Sequence, residues 1–215
     1  NVAKVVATGM RGRLEIGITG SQCYREVPAI VKRFNQQMPD VDLQLREMSS
    51  ADQLNDLLRG QIHAGFVNGS TVPPQLASLA LRDDEFVLCL PEDHPKAQGL
   101  SVDLRQLADE RFVMFSREVA PANHDNVIAI FSRAGIHPQT AHAARQWLTI
   151  IAMVANGLGV SLVPRSMSKS RVHGVVFRDI KGPPVQAPAM LVWNPSYRVP
   201  ALDSFIACAE SVLRR

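Results

Sequence analysis

Three short runs hold the side chains able to grip a small anion. Thr19-Gly20-Ser21 ends an alternating stretch that begins at Leu14, and Met48-Ser49-Ser50 ends a second one through Val41, Leu43 and Leu45. Amides at a helix start have no intrahelical partner and favour negative charge, so a carboxylate at Gly20 would meet N–H groups and the hydroxyls of Thr19 and Ser21. The plainer reading is that Ser21 only caps the following helix. Ser49 and Ser50 read first as caps, and whichever does not cap is free to face a ligand. Further on, Gln146-Trp147-Leu148-Thr149 opens another helix with polar tips and a large ring suited to an organic acid. Against that stands a Trp147 that packs between lobes and a Thr149 that caps. Arg117 is the candidate counter-charge, because a guanidinium meets a carboxylate through two parallel hydrogen bonds; its alternative is a solvated surface role.

Other chemistries lack an anchor. A dinucleotide turn needs three closely spaced glycines, and after Gly17 and Gly20 the next is Gly60. Cys23 near the first turn could be a thiolate nucleophile, but a buried inert thiol is the expectation. The histidines, His63, His94, His124, His137, His142 and His173, show no metal-ligand spacing, and no G-x-S-x-G elbow occurs. No catalytic residue, metal or cofactor is expected.

These runs need strands that end in them. Leu14 to Thr19 alternates as a first strand; Val27, Ile30, Val31 and Phe34 mark one face of a helix from about Tyr24 to Met38, with Pro28 in its first turn. Val41 to Leu45, a helix through Leu54 and Leu58 ended by Gly60, and a strand from Ile62 to Val67 complete βαβαβ, whose crossovers give a parallel sheet. Ala77 to Leu81 and Phe86 to Leu90 add strands, and a short helical piece covers Val102 to Leu107. The βαβα order then recurs: strand Phe112 to Phe115, a helix marked by Val127, Ile128, Ile130 and Phe131 that stops at Ala134-Gly135, strand Thr140 to Ala143, a helix from Leu148 to Gly157, strand Val160 to Val163. Val175 to Phe177 adds a strand. Val185 to Trp193 and a helix from Pro200 to Leu213 cannot bury themselves alone and must return to the first lobe.

The expected architecture is therefore a two-lobed α/β fold with mostly parallel sheets and two crossover connections. The first lobe takes residues 12–86 with 184–215 and the second takes 87–183. Ligands in such sheets bind beyond the carboxyl ends of the strands, where the turns at Thr19, Ser49 and Asn68 converge on a cleft.

At 46% hydrophobic the chain of 215 residues is too apolar for disorder, and its 13 Gly and 14 Pro rule out collagen-like or low-complexity character. The net charge of +3 invites a nucleic-acid reading, but the two ends account for all of it and the interior is neutral, without the basic cluster a phosphate groove needs. Three cysteines without short spacing read as reduced thiols of a cytoplasmic protein, and no apolar run approaches the roughly 18 residues of a membrane span. The start, NVAKVVATGMRGR, lacks both a signal-peptide core and an initiator Met, and reads as a fragment or processed product.

In order along the chain, Gly12-Arg13-Leu14-Glu15-Ile16-Gly17 with Ser21, Val27-Pro28-Ala29-Ile30-Val31-Lys32-Arg33-Phe34 with Pro39-Asp40-Val41, Leu57 to Phe66, Leu88 to Pro95, and Val154-Ala155-Asn156-Gly157-Leu158-Gly159-Val160-Ser161-Leu162-Val163-Pro164 resemble the effector-binding domain of LysR-type transcriptional regulators. Around Phe112 to Pro121 the likeness is to members that sense aromatic acids or their ring-cleavage products. The resemblance implies a fold like periplasmic binding proteins, a small carboxylate inducer between the lobes, and contacts at Ser21, Ser49 or Ser50, and Gln146-Trp147. It implies self-association as dimer and tetramer in the full-length protein, and DNA binding only through an N-terminal domain that residues 1–11, a linker remnant, would join. Where the family often has Asp, this chain has His63 or Ala64 before Gly65. The inducer would act by population shift, limited by its differential affinity for the two lobe arrangements. The alternatives are a solute-binding protein of a transport system and a small dehydratase-like enzyme.

Overall fold

The computed structural model describes residues 12–119 and 121–214; the linker assigned to residues 1–11 lies outside them. The chain divides into two compact units, one comprising the chain up to Arg82 together with Ala189–Arg215, the other Asp83–Pro188.

In the first unit, β1 (Gly12–Ile18), β2 (Val41–Glu47), β3 (Ala64–Asn68), β4 (Ala77–Ala80) and β11 (Ala189–Trp193) form one sheet in the order β2-β1-β3-β11-β4. Alternation buries Leu14, Ile16 and Ile18 of β1 against α1 (Val27–Gln37) and α5 (Pro200–Leu213), which supply Ile30, Phe34, Leu202 and Phe205 to one core. Phe205 meets Phe34 edge-on at 5.3 Å and Phe66 of β3 at 6.1 Å, so one ring fastens α5 to both helix and sheet. On the other sheet face, α2 (Ser50–Leu58) packs Leu57 with Ile62, Val67, Met190 and Val192. Gly17 and Gly65 are register partners there, and the buried Gln53 of α2 lies across them; a Cβ at Gly65 would come within 2.5 Å of Gln53 Oε1. The paired glycines give a polar side chain a flat seat on the sheet.

In the second unit, β5 (Phe86–Pro91) pairs with β9 (Ser161–Pro164) and β10 (Val175–Ile180), and β10 with β6 (Ser101–Val102). A parallel pair, β7 (Arg111–Phe115) and β8 (Gln139–Ala144), joins this sheet where Val113 N–H donates to Val160 O (2.9 Å) and Val160 N–H to Arg111 O (2.8 Å). Gly159, at φ +144°, allows that approach: a Cβ would sit 2.4 Å from the Arg111 carbonyl oxygen. Helix α3 (Pro121–Ala134) presses Phe131 onto Phe112 at 4.7 Å, and α4 (Trp147–Ala155) buries Trp147, Ile150, Ile151 and Val154.

The sheets are mixed rather than mostly parallel. β1 runs parallel to β2 and β3, but β11 is antiparallel to β3 and β4, and β5 is antiparallel to β9 and β10. Apolar periodicity does not report strand direction, and of the partners of β10 only the short β6 lies parallel to it. The unit boundaries also differ from the expected 86/87 and 183/184. Phe86 pairs with Pro164, and its N–H donates to Val185 O (2.8 Å), so both passages belong to the second unit down to Asp83 and up to Pro188. Pro188 has no N–H to continue a ladder, which limits the expected strand Val185 to Trp193 to Ala189–Trp193. The helical piece at Val102 to Leu107 is a 3-10 turn over Leu104–Leu107, capped by Asp103.

Candidate functional site

The parallel strands β1 and β3 end side by side at Ile18 and Asn68, and β2 ends beside them at Glu47. Asn68 ties together the turns that leave these strand ends. Its Nδ2 donates to Thr19 Oγ1 (3.2 Å) and Ser21 Oγ (3.5 Å), its Oδ1 accepts from Gln22 Nε2 (2.7 Å), and its backbone N–H donates to Ser50 Oγ (3.0 Å). Thr19 and Ser21 hydroxyls lie 3.3 Å apart, one donating to the other. Ser21, Ser50 and Gln22 are buried. Three hydroxyls thus accept from one residue, and beyond the bond between Thr19 and Ser21 no protein acceptor is found for their own protons among the described residues. Uncharged donors converging beyond strand ends suit a carboxylate oxygen.

The local conformation corrects the reading of Ser21. The segment Gly20–Tyr24 is a 3-10 turn, and α1 begins only at Val27, so Ser21 does not cap that helix and no α-helix start lies at Gly20. Gly20 is exposed beside Glu47, whose Oε1 would stand 3.0 Å from a Cβ there. Ser49 caps α2: its Oγ accepts from Asp52 N–H (3.0 Å) and donates to Asp52 Oδ2 (2.7 Å). Ser50 is therefore the serine in the cluster. Asn68 and Gln22 escape a reading that takes side chains singly. Asn68 had a signal, its place in a turn after a strand on the expected cleft side; Gln22 had none.

In the second unit, Gln146 takes the cap position of α4 without a side-chain cap bond, and Thr149 lies exposed within the helix, so it is not the cap. Trp147 is buried among aromatic neighbours of its own unit, Phe115 at 4.5 Å and Phe86 at 6.3 Å, and its Nε1 is buried without a hydrogen-bond partner. Arg117 is exposed and committed to Asp125 through two bonds, Nε to Oδ1 (2.9 Å) and Nη2 to Oδ2 (3.1 Å). The pair raises the guanidinium and lowers the Asp125 carboxyl from its ordinary range.

Cys23 is exposed rather than buried, and partial desolvation, then Glu47, raise its thiol, which keeps it protonated and poorly nucleophilic. Cys89 is buried and pushed up to about 12 by desolvation. Among the described residues no group of three His, Cys, Asp or Glu is placed to hold a metal ion, and no helix is long and apolar enough to cross a membrane.

The LysR substrate binding domain model matches residues 7–214, and the chain belongs to that family. It is 32% identical over 209 residues to the HTH-type transcriptional regulator IlvR of Caulobacter vibrioides, covering 96% of this chain and 70% of that one. In structure it resembles full-length CbnR complexed with its target DNA (TM-score 0.86, 24% identity, 100% of this chain and 75% of that one). It also resembles the BenM effector binding domain with its effector benzoate (TM-score 0.80, 24% identity, 94% and 91%). The chain spans about two thirds of the length of the curated relatives it matches.

Proposed function

We propose that this chain is the effector-sensing part of a LysR-type transcriptional regulator, and that its effector is a small organic acid of the aromatic or ring-cleavage type. The observation that carries the reading is the cluster of Thr19, Ser21 and Ser50 hydroxyls around Asn68 at the ends of parallel strands. The Gly20 backbone N–H is proposed as a further donor to the acid, with Ser49 as the cap that fixes the second turn. Within the second unit taken by itself, Gln146, Trp147 and Thr149 are the proposed effector-contacting residues, with the unpartnered indole N–H of Trp147 as a donor; Arg117 would join them only by releasing Asp125.

A carboxylate effector shifts the population of protein arrangements by its differential affinity. The full-length protein then carries the change through dimer and tetramer contacts to an N-terminal DNA-binding domain joined by residues 1–11, in the cytoplasm. Support comes from family membership, from CbnR's likeness in complex with DNA and from BenM's with benzoate. Sensing rather than turnover is the function, and the acid leaves unchanged.

A thermal-shift and calorimetric screen of aromatic and unsaturated dicarboxylic acids tests this. At least one acid raises the melting temperature, and Ser21→Ala and Asn68→Ala each weaken it by about 1.5–3 kcal/mol, roughly ten- to hundredfold in Kd. Unchanged binding in both variants would remove the site assignment, and conversion of the acid would support an enzyme instead.

A further inference from the structure

Gln22 is fully buried next to Ser21, and only half of its amide is used. Nε2 donates to Asn68 Oδ1, while Oε1 is buried with no hydrogen-bond partner. A buried carbonyl without a donor costs free energy that a fold ordinarily avoids. Other buried polar atoms share this condition in different surroundings. Gln53 Oε1 lies on the glycine seat of Gly17 and Gly65, where packing places it. Trp147 Nε1 belongs to the aromatic group of the second unit. Gln22 is the one bonded directly into the hydroxyl cluster, through the same Asn68 that touches Thr19 and Ser21.

The hydrogen bonds couple the orientations of the two amides. Asn68 directs Nδ2 to the hydroxyls and Oδ1 to Gln22, which leaves Gln22 with an acceptor to spare. If both amides were turned over, Gln22 would instead hold a spare N–H; in either case one amide atom remains unmatched by protein.

From this we infer that Gln22 is a specificity-determining residue: its Oε1 accepts a hydrogen bond from a hydroxyl that the effector carries close to its carboxylate. The effector class is a hydroxylated carboxylic acid rather than a plain one. This rests on the carboxylate reading of the cluster. A site with a buried acceptor discriminates strongly against analogues that lack the donor, because the acceptor is then left unpaired.

The test uses matched acids on this chain by calorimetry: mandelate, phenylacetate and O-methylmandelate; 3-hydroxybenzoate, benzoate and 3-methoxybenzoate; malate and succinate. In at least one set the hydroxy acid binds tenfold or more tightly than the plain acid and the methyl ether, which cannot donate. Gln22→Met, similar in length and apolar, closes that gap, so that within the variant the hydroxy acid and its plain analogue bind within about twofold of each other. The ether comparison needs no variant and stands even if Gln22→Met fails to fold. Equal affinity in every set that binds, or a gap that survives in Gln22→Met, overturns the inference, as does preference for a second acceptor, which the turned amides would give. If Ser21→Ala leaves the plain acids unaffected, the carboxylate reading fails instead, so the two failures are separable.

Discussion

Gly65 shows how one missing side chain governs a neighbour. Gln53 Oε1 occupies the space a Cβ at Gly65 would need, at 2.5 Å, with Gln53 fully buried and its Nε2 held by Met48 O at 3.2 Å. Gly65→Ala should therefore destabilise the chain by about 1–3 kcal/mol, as overpacking does. Gln53→Ala in the same chain should recover part of that loss, read by urea unfolding of the single and double variants. Additive losses would show that the two positions do not compete for space. At this scale the sequence was partly legible. The hydroxyls of Thr19, Ser21 and Ser50 were found because their types and turn positions announce donors. Asn68 and Gln22 join the hydroxyl cluster only because β1 and β3 bring residues 46 and 49 positions apart into hydrogen-bond range. Arg117 illustrates the reverse: its chemistry suits a carboxylate, and a turn of α3 supplies one in Asp125.

Among the elements, α5 has the clearest energetic role. Its Phe205 is fully buried and touches rings from both α1 and β3, so the C-terminal helix closes the core that β1 alone would expose. Phe205→Ala should cost about 3–5 kcal/mol, measured by denaturant melts. A loss under about 1 kcal/mol would mean that α5 is not integral to the first unit. The helix itself was readable from its apolar spacing, as was its return to the first lobe, since a lone strand and helix must dock somewhere. Strand direction was not. Periodicity reports which residues are buried together and is blind to whether β11 runs with or against β3. Parallel order was safe only where a helix intervenes, as from β1 through α1 to β2 and from β7 through α3 to β8.

For the whole molecule, charge and thiols give separate readings. The +3 charge lies at the ends of the chain, where the described part pairs Arg13 with Glu15 (2.7 Å) and Arg214 with Glu210 (3.1 Å). Of the three cysteines, only Cys23 is exposed, so a maleimide reagent on the native chain should label Cys23 alone. Its thiol is raised, so at about pH 8 labelling should be slower than for a free thiol, and Cys89 and Cys208 should react only after unfolding. Native labelling at Cys89 would contradict the burial of β5. Residue type and spacing alone determined the α/β class, the discontinuous first lobe, the hydroxyl-bearing turns and the family resemblance, because hydrophobic period and turn chemistry are local properties. Tertiary structure decided strand direction, the passages at Asp83 and Pro188, and the partners of Asn68 and Gln22, because those depend on which distant backbone segments come to lie side by side.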